Sequence, residues 1–138
     1  MSLLEGIKKN NFAVVGRLGI DLCPDPPGVK TEDAETMVVG MGGSSANIAA
    51  GICKFGGKAA LVTRVSDDSI GRYCVNQLKR YGVDPQYVKP IAGEFRNSLA
   101  VYETVLEGHE SVIYRNGAAD FEMSGEDIDA VDFSQYGA

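Results

Sequence analysis

The sequence predicts an α/β fold, part of a doubly wound parallel sheet with a small β-sheet projecting beside it. Three observations carry that expectation. Short apolar runs end in glycine, two stretches between them have helical spacing, and a later pair of runs alternates in polarity instead. The first two are the pattern of buried strands joined by crossover helices, and the third is that of a hairpin with one wet face.

The elements follow in chain order. Phe12 to Gly16 is a short apolar strand, and Pro24-Asp-Pro-Pro-Gly28 is a loop because proline cannot donate to a ladder. Glu35 to Val39 is a second strand and Gly40 to Gly43 a turn. Ser44 to Phe55 forms a helix that Ser44 or Ser45 can cap and Gly56-Gly57 ends. Its Ala46, Ala49, Ala50 and Gly51 make it thin enough to lie close to a sheet or a ligand. Ala59 to Val65 is a third strand. Asp67, Asp68 or Ser69 caps the next helix, whose stripe is Ile70, Cys74, Leu78 and Tyr81, with Gly82 as its stop. Val83 to Lys89 holds a short strand. In the hairpin, Ser98–Glu107 and Ser111–Arg115, the residues Leu99, Val101 and Val105 share a face opposite Tyr102 and Thr104. Glu103 interrupts that apolar face. Ser124 to Asp127 resembles a capping box opening a last helix.

Composition excludes several classes. With 138 residues, 44% apolar and 23% charged, the chain can bury one core. A net charge of −6 argues against nucleic acid or an anionic membrane as partner. No apolar run is long enough to span a bilayer, and Met1-Ser2-Leu3-Leu4-Glu5 lacks the basic and apolar regions of a signal peptide. Cys23, Cys53 and Cys74 are odd in number and form no C-x-x-C, so a reducing cytoplasm is expected, without a disulfide framework or metal site. Cys53 and Cys74 are expected in the core.

The most informative run is Gly40-Met-Gly42-Gly43-Ser-Ser-Ala-Asn47. Glycines let backbone approach a ligand, a helix start offers free N–H groups, and Asn47 brings a donor and an acceptor. A polyhydroxylated ligand suits that set; a glycine turn that merely tightens a junction explains the glycines equally well. Dinucleotide binding through Gly40-x-Gly42 is a further reading. Its third glycine is replaced by Ser45, and the acid expected about 20 residues on is matched only loosely by Asp67. No P-loop run is present. Asp21, in Gly16-Arg-Leu-Gly-Ile-Asp-Leu22, lies just past the first strand, where it either accepts hydroxyl bonds from a ligand or turns the loop. His109 reads as a surface turn residue. Glu126, Asp127, Asp129 and Asp132 read as a solvated helix face, and Met37 and Met41 as packing.

Taken in register, Gly16…Asp21, Gly42-Gly43-Ser-Ser-Ala-Asn47 and Ser66-Asp-Asp-Ser-Ile-Gly71 resemble the amino-terminal signature of the ribokinase-like (PfkB-type) carbohydrate kinases. Ser66 stands where that family's G-D-D-x-x-G loop begins with glycine. Within the family, Gly16–Leu22, Glu35-Thr-Met37 and Tyr114-Arg-Asn-Gly-Ala-Ala-Asp120 are most similar to the branches acting on 5-dehydro-2-deoxygluconate and 2-keto-3-deoxygluconate.

The resemblance implies a Rossmann-like sheet with a β-lid, its segments at about 22–40 and 97–116, and an ATP- and Mg2+-dependent phosphorylation of a sugar or keto-sugar acid. It implies substrate-binding roles for Asp21, Gly42, Gly43 and Asn47. Arg115 on the lid is a candidate for an acidic or keto group, and a solvated hairpin charge is its other reading. A homodimer through the lid is the implied assembly. The family's carboxyl-terminal G-A-G-D, which supplies the catalytic Asp and an anion hole, is absent. Residues 1–138 are therefore expected to be the amino-terminal part of the kinase domain, without the ATP and Mg2+ site and inactive alone. A non-catalytic sugar-binding module is the remaining alternative.

Overall fold

The computed structural model describes residues 3–138, with side chains from Glu5 onward, so Met1 and Ser2 lie outside the described residues. In chain order the elements are α1 Leu3–Lys8, β1 Asn11–Val15, β2 Gly19–Asp25, β3 Thr36–Gly42, α2 Ser44–Lys54, β4 Lys58–Ser66, α3 Ser69–Arg80, β5 Asp84–Ile91, β6 Leu99–Tyr102, β7 Ser111–Tyr114 and α4 Gly125–Asp129. They form a parallel three-stranded sheet, β1-β4-β5, and a four-stranded sheet, β3-β2-β6-β7. In the second sheet β2 runs antiparallel to β3 and parallel to β6, and β7 returns antiparallel to β6.

β4 is the centre of the parallel sheet and is apolar on both faces. Ala59, Leu61 and Val65 point into a core with Ile20, Ala49, Cys74 and Leu78, while Ala60 and Val62 meet Val131 and Tyr136 on the other side. Each fully buried Leu, Ile or Val among them contributes roughly 1.5–3 kcal/mol. Helices α2 and α3 cover the first face, and the segment around α4 covers the second. The doubly covered sheet and its projecting partner are the architecture that the sequence pattern predicts.

Local chemistry sets the helix ends. Asp68 caps α3 by accepting from Ile70 N (2.9 Å) and Gly71 N (3.0 Å). Helix α2 is capped by neither serine: Gly43 is its N-cap at φ 105°, and the Ser45 hydroxyl donates to Val15 O at 3.2 Å. Glycine is required there because a Cβ would come within 2.4 Å of Arg17 O.

Three further sequence expectations change. First, Gly19–Asp25 is a full strand, with Asp21 inside it and not in a loop beyond β1. Pro24 ends no ladder prematurely, because pairing with β6 stops at Leu22↔Val101 and the proline lies on a stretch paired from one side only. Second, Gly40 to Gly42 extends β3, held by pairing from Asp21↔Gly40 to Gly19↔Gly42, and only Gly43 turns. Third, Asp127 is buried at 1% exposure and not on a solvated face. Arg64 Nε lies 2.9 Å from its Oδ2 and Lys89 Nζ 3.2 Å from its Oδ1, which fastens α4 to β4 and β5.

Glu103, which interrupts the alternation, is also buried. Its carboxylate accepts from Lys30 Nζ (3.0 Å), Thr31 N (2.8 Å) and Glu110 N (2.9 Å), which ends β6 at Tyr102 and ties the β2–β3 excursion to the β6–β7 turn. His109 is exposed in that turn, as expected.

Candidate functional site

Side chains along a strand alternate between faces, so pairing register decides what Asp21 shares its surface with. Across β2 its direct partners are Gly40 on β3 and Ala100 on β6. Gly42, two residues beyond Gly40, lies diagonally beside it, and a Cβ at Gly42 would come within 1.9 Å of Asp21 Oδ1. Toward Gly19, Gly40 and Gly42 the surface beside the carboxylate is therefore bare backbone. Oδ1 is buried and has no hydrogen-bond partner in the structure. Burial pushes the Asp21 carboxyl above its ordinary value, and the nearby Arg17 charge partly offsets that. A buried carboxylate oxygen without a partner is a strong acceptor for a hydroxyl donor.

The start of α2 borders this surface. Gly43 packs on the backbone of Arg17 and Leu18. Asn47 stands one turn into the helix; its backbone N–H donates to Gly43 O at 2.9 Å and its side chain is exposed. Asp21 and Gly42 are thus in contact and Gly43 follows directly, whereas no hydrogen bond joins Asn47 to Asp21. Arg115 belongs to a separate group after β7. Its Nε (3.1 Å) and Nη2 both donate to Asp120 Oδ2, and the guanidinium lies 4.5 Å from the centre of the Phe121 ring.

Two residues near Asp21 escape a reading by sequence motif. Tyr102, on β6 and paired with Ser111 on β7, is two positions from Ala100 and so faces the same side as Asp21 and Cys23. Burial raises its phenol, with smaller contributions from Cys23 and Asp21. Arg17 reaches across the β1–β2 connection to donate from Nη1 to Ser98 Oγ at 3.2 Å. The signal for Tyr102 is the alternation itself, once β6 is known to pair with β2.

The glycines of Gly40-Met-Gly42 lie within β3, antiparallel to β2, whereas a dinucleotide fingerprint needs a tight turn after a parallel strand. Among the described residues no group of three or more His, Cys, Asp or Glu is arranged to hold a metal ion. No helix among them is long and apolar enough to cross a membrane.

A parallel sheet covered on both faces, with a mixed sheet projecting from it, is the architecture that the resemblance of the motifs implies. Residues 9–138 match the pfkB family carbohydrate kinases, and the chain belongs to that family. It is 36% identical over 123 residues to the 5-dehydro-2-deoxygluconokinase of Geobacillus kaustophilus, covering 88% of this chain and 37% of that protein. To the 5-dehydro-2-deoxygluconokinase of Clostridium perfringens it is 32% identical over 132 residues, or 94% of this chain and 39% of that one. The chain thus spans less than two-fifths of the length of these relatives. Among solved structures, an uncharacterized sugar kinase from Pyrococcus horikoshii in complex with ATP shares the fold with a TM-score of 0.75 at 24% identity, over 89% of this chain and 39% of that one.

Proposed function

We propose that this chain is the sugar-binding part of a kinase that transfers the γ-phosphoryl group of ATP to a hydroxyl of a keto-deoxy sugar acid. The supporting observation is the buried Asp21 Oδ1, unpartnered beside a surface of Gly40, Gly42 and Ala100. Asp21 accepts from substrate hydroxyls, Gly42 and Gly43 allow the sugar against the backbone, and Asn47 bonds it from α2. Arg115 contributes from the lid. The substrate class rests on the names of the similar kinases, and ATP as donor on the family and on the nucleotide held by the Pyrococcus protein. Mg2+ accompanies ATP in this reading.

The lid segments at about 22–40 and 97–116 act as one cover. Val38 and Ile113 on its outer strands are 57% and 56% exposed, and a second copy's lid is their proposed partner. Three free thiols favour the cytoplasm. In this reading these residues bind the sugar acid and do not turn it over alone.

Calorimetric titration of the chain with 5-dehydro-2-deoxygluconate, ATP and NAD tests this reading. Saturable binding of the sugar acid without ATP binding is expected; tight NAD binding rejects the kinase assignment.

A further inference from the structure

We infer that Arg17 is the residue that reads the acidic group of the substrate, and that it sets the preference for a sugar acid over a neutral sugar. The inference rests on the sugar-pocket reading above and adds a residue to it.

The Arg17 carbonyl accepts from Ala46 N at 3.4 Å and packs against Gly43, so the residue sits where α2 begins. Its guanidinium crosses from there to the hydroxyl of Ser98, a residue with 0% exposure. A Cβ built on Gly19 would point to within 2.5 Å of that same hydroxyl. Gly19 and Asp21 are two residues apart on β2 and share a face, so the Arg17–Ser98 bond lies on the face that carries Asp21. Arg17 therefore borders the candidate pocket with its backbone on the helix side and its side chain on the strand side.

Among the described residues the ion pairs are Lys30–Glu103, Arg64–Asp127, Lys89–Asp127 and Arg115–Asp120, and Arg17 is in none of them. Its side-chain hydrogen bond goes to a neutral hydroxyl, which orients the planar fork, and no carboxylate among the described residues lies within ion-pair distance of it. Asp21 feels that charge without lying at ion-pair distance. An anionic substrate placed on Asp21 alone would meet repulsion. With Arg17 on the same face, one end of the molecule can give hydroxyl bonds to Asp21 while a carboxylate receives N–H bonds from the guanidinium. Arg115 is less suited to this task, because two of its donors and its charge are already committed to Asp120.

The test is calorimetry on the chain with two probes, 5-dehydro-2-deoxygluconate and its carboxamide, which differ in charge and little in shape. Wild type is expected to prefer the acid by on the order of tenfold or more. Arg17→Gln should erase that preference by weakening the acid alone, and Arg17→Lys, which keeps the charge but not the fork, should retain part of it. Circular dichroism checks that each variant is folded; if Arg17→Gln is not, Arg17→Lys and Arg17→Met decide by the same ratio. Persistence of the full preference in Arg17→Gln overturns the inference while leaving the pocket in place. So does its loss in Arg115→Gln with Arg17→Gln unaffected. Failure of both probes to bind wild type overturns the pocket reading, and the role of Arg17 falls with it.

Discussion

The carboxylate of Asp21 occupies the space that a side chain at Gly42 would fill, with Oδ1 only 1.9 Å from where a Cβ would sit. The two residues come from different strands, β2 and β3, and their contact follows from a register that pairs Gly19 with Gly42 and Asp21 with Gly40. This explains why a glycine is needed at position 42 although its φ is not in the left-handed region.

Gly42→Ala is accordingly expected to leave the fold intact and force the Asp21 side chain to rotate away. Sugar-acid affinity should fall by about tenfold or more, the scale of one lost charge-assisted hydrogen bond. Calorimetry gives the affinity and a thermal melt the stability; equal affinity would separate Asp21 from binding.

Gly71→Ala tests the loop before α3. Alanine is the better helix former by about 1 kcal/mol, yet a Cβ here would lie 1.9 Å from Ser66 O, a backbone atom that cannot swing aside. The expected net effect is destabilisation by about 1–3 kcal/mol, as for overpacked cores. Urea unfolding measures it.

Asp127 makes stability depend on acid pH. Burial pushes its carboxyl up, but the bonds from Arg64, Ser124 N and Lys89 outweigh this and hold it at about 2. A folded value below the ordinary 3.8 means the contribution is present above that pH and disappears as pH falls through about 2. Asp127→Asn should cost about 2 kcal/mol at neutral pH, less than a fully buried broken pair because Arg64 and Lys89 keep contact with water. It should also flatten the decline of melting temperature between pH 5 and pH 2. A variant as steep as wild type would assign that decline to other groups.

Glu103 makes a parallel case in the lid. The Thr31 N–H first, then Lys30, hold its carboxyl at about 2 against burial, so the tie between the two lid segments persists well below neutral pH. Glu103→Gln should expose residues 26–34 and 104–110 to faster limited proteolysis while the parallel sheet melts nearly as before. Unchanged cleavage would show that the tie is redundant.

How much of this was legible in the sequence depended on whether the governing interaction was local. β4 and α3 could be read because burial on two faces and on one stripe leave distinct periodicities, and Asp68 because a cap acts within three residues. β2 was obscured by Pro24, whose tolerance depends on where β6 stops pairing. Asp127 looked solvated because its partners, Arg64 and Lys89, are distant in sequence. Asp21 and Gly42 are site candidates from motif spacing, but their contact is a product of strand register. Tyr102 and the Arg17–Ser98 bond depend on the same register, and no spacing rule could supply them.

The account is tested most directly by titrating isotopically labelled chain with 5-dehydro-2-deoxygluconate and following backbone amide resonances. It predicts that shifts concentrate at 17–22, 40–47 and 98–102, around Asp21, and vanish in Asp21→Ala. Saturable shifts centred elsewhere, or undiminished in that variant, would contradict it.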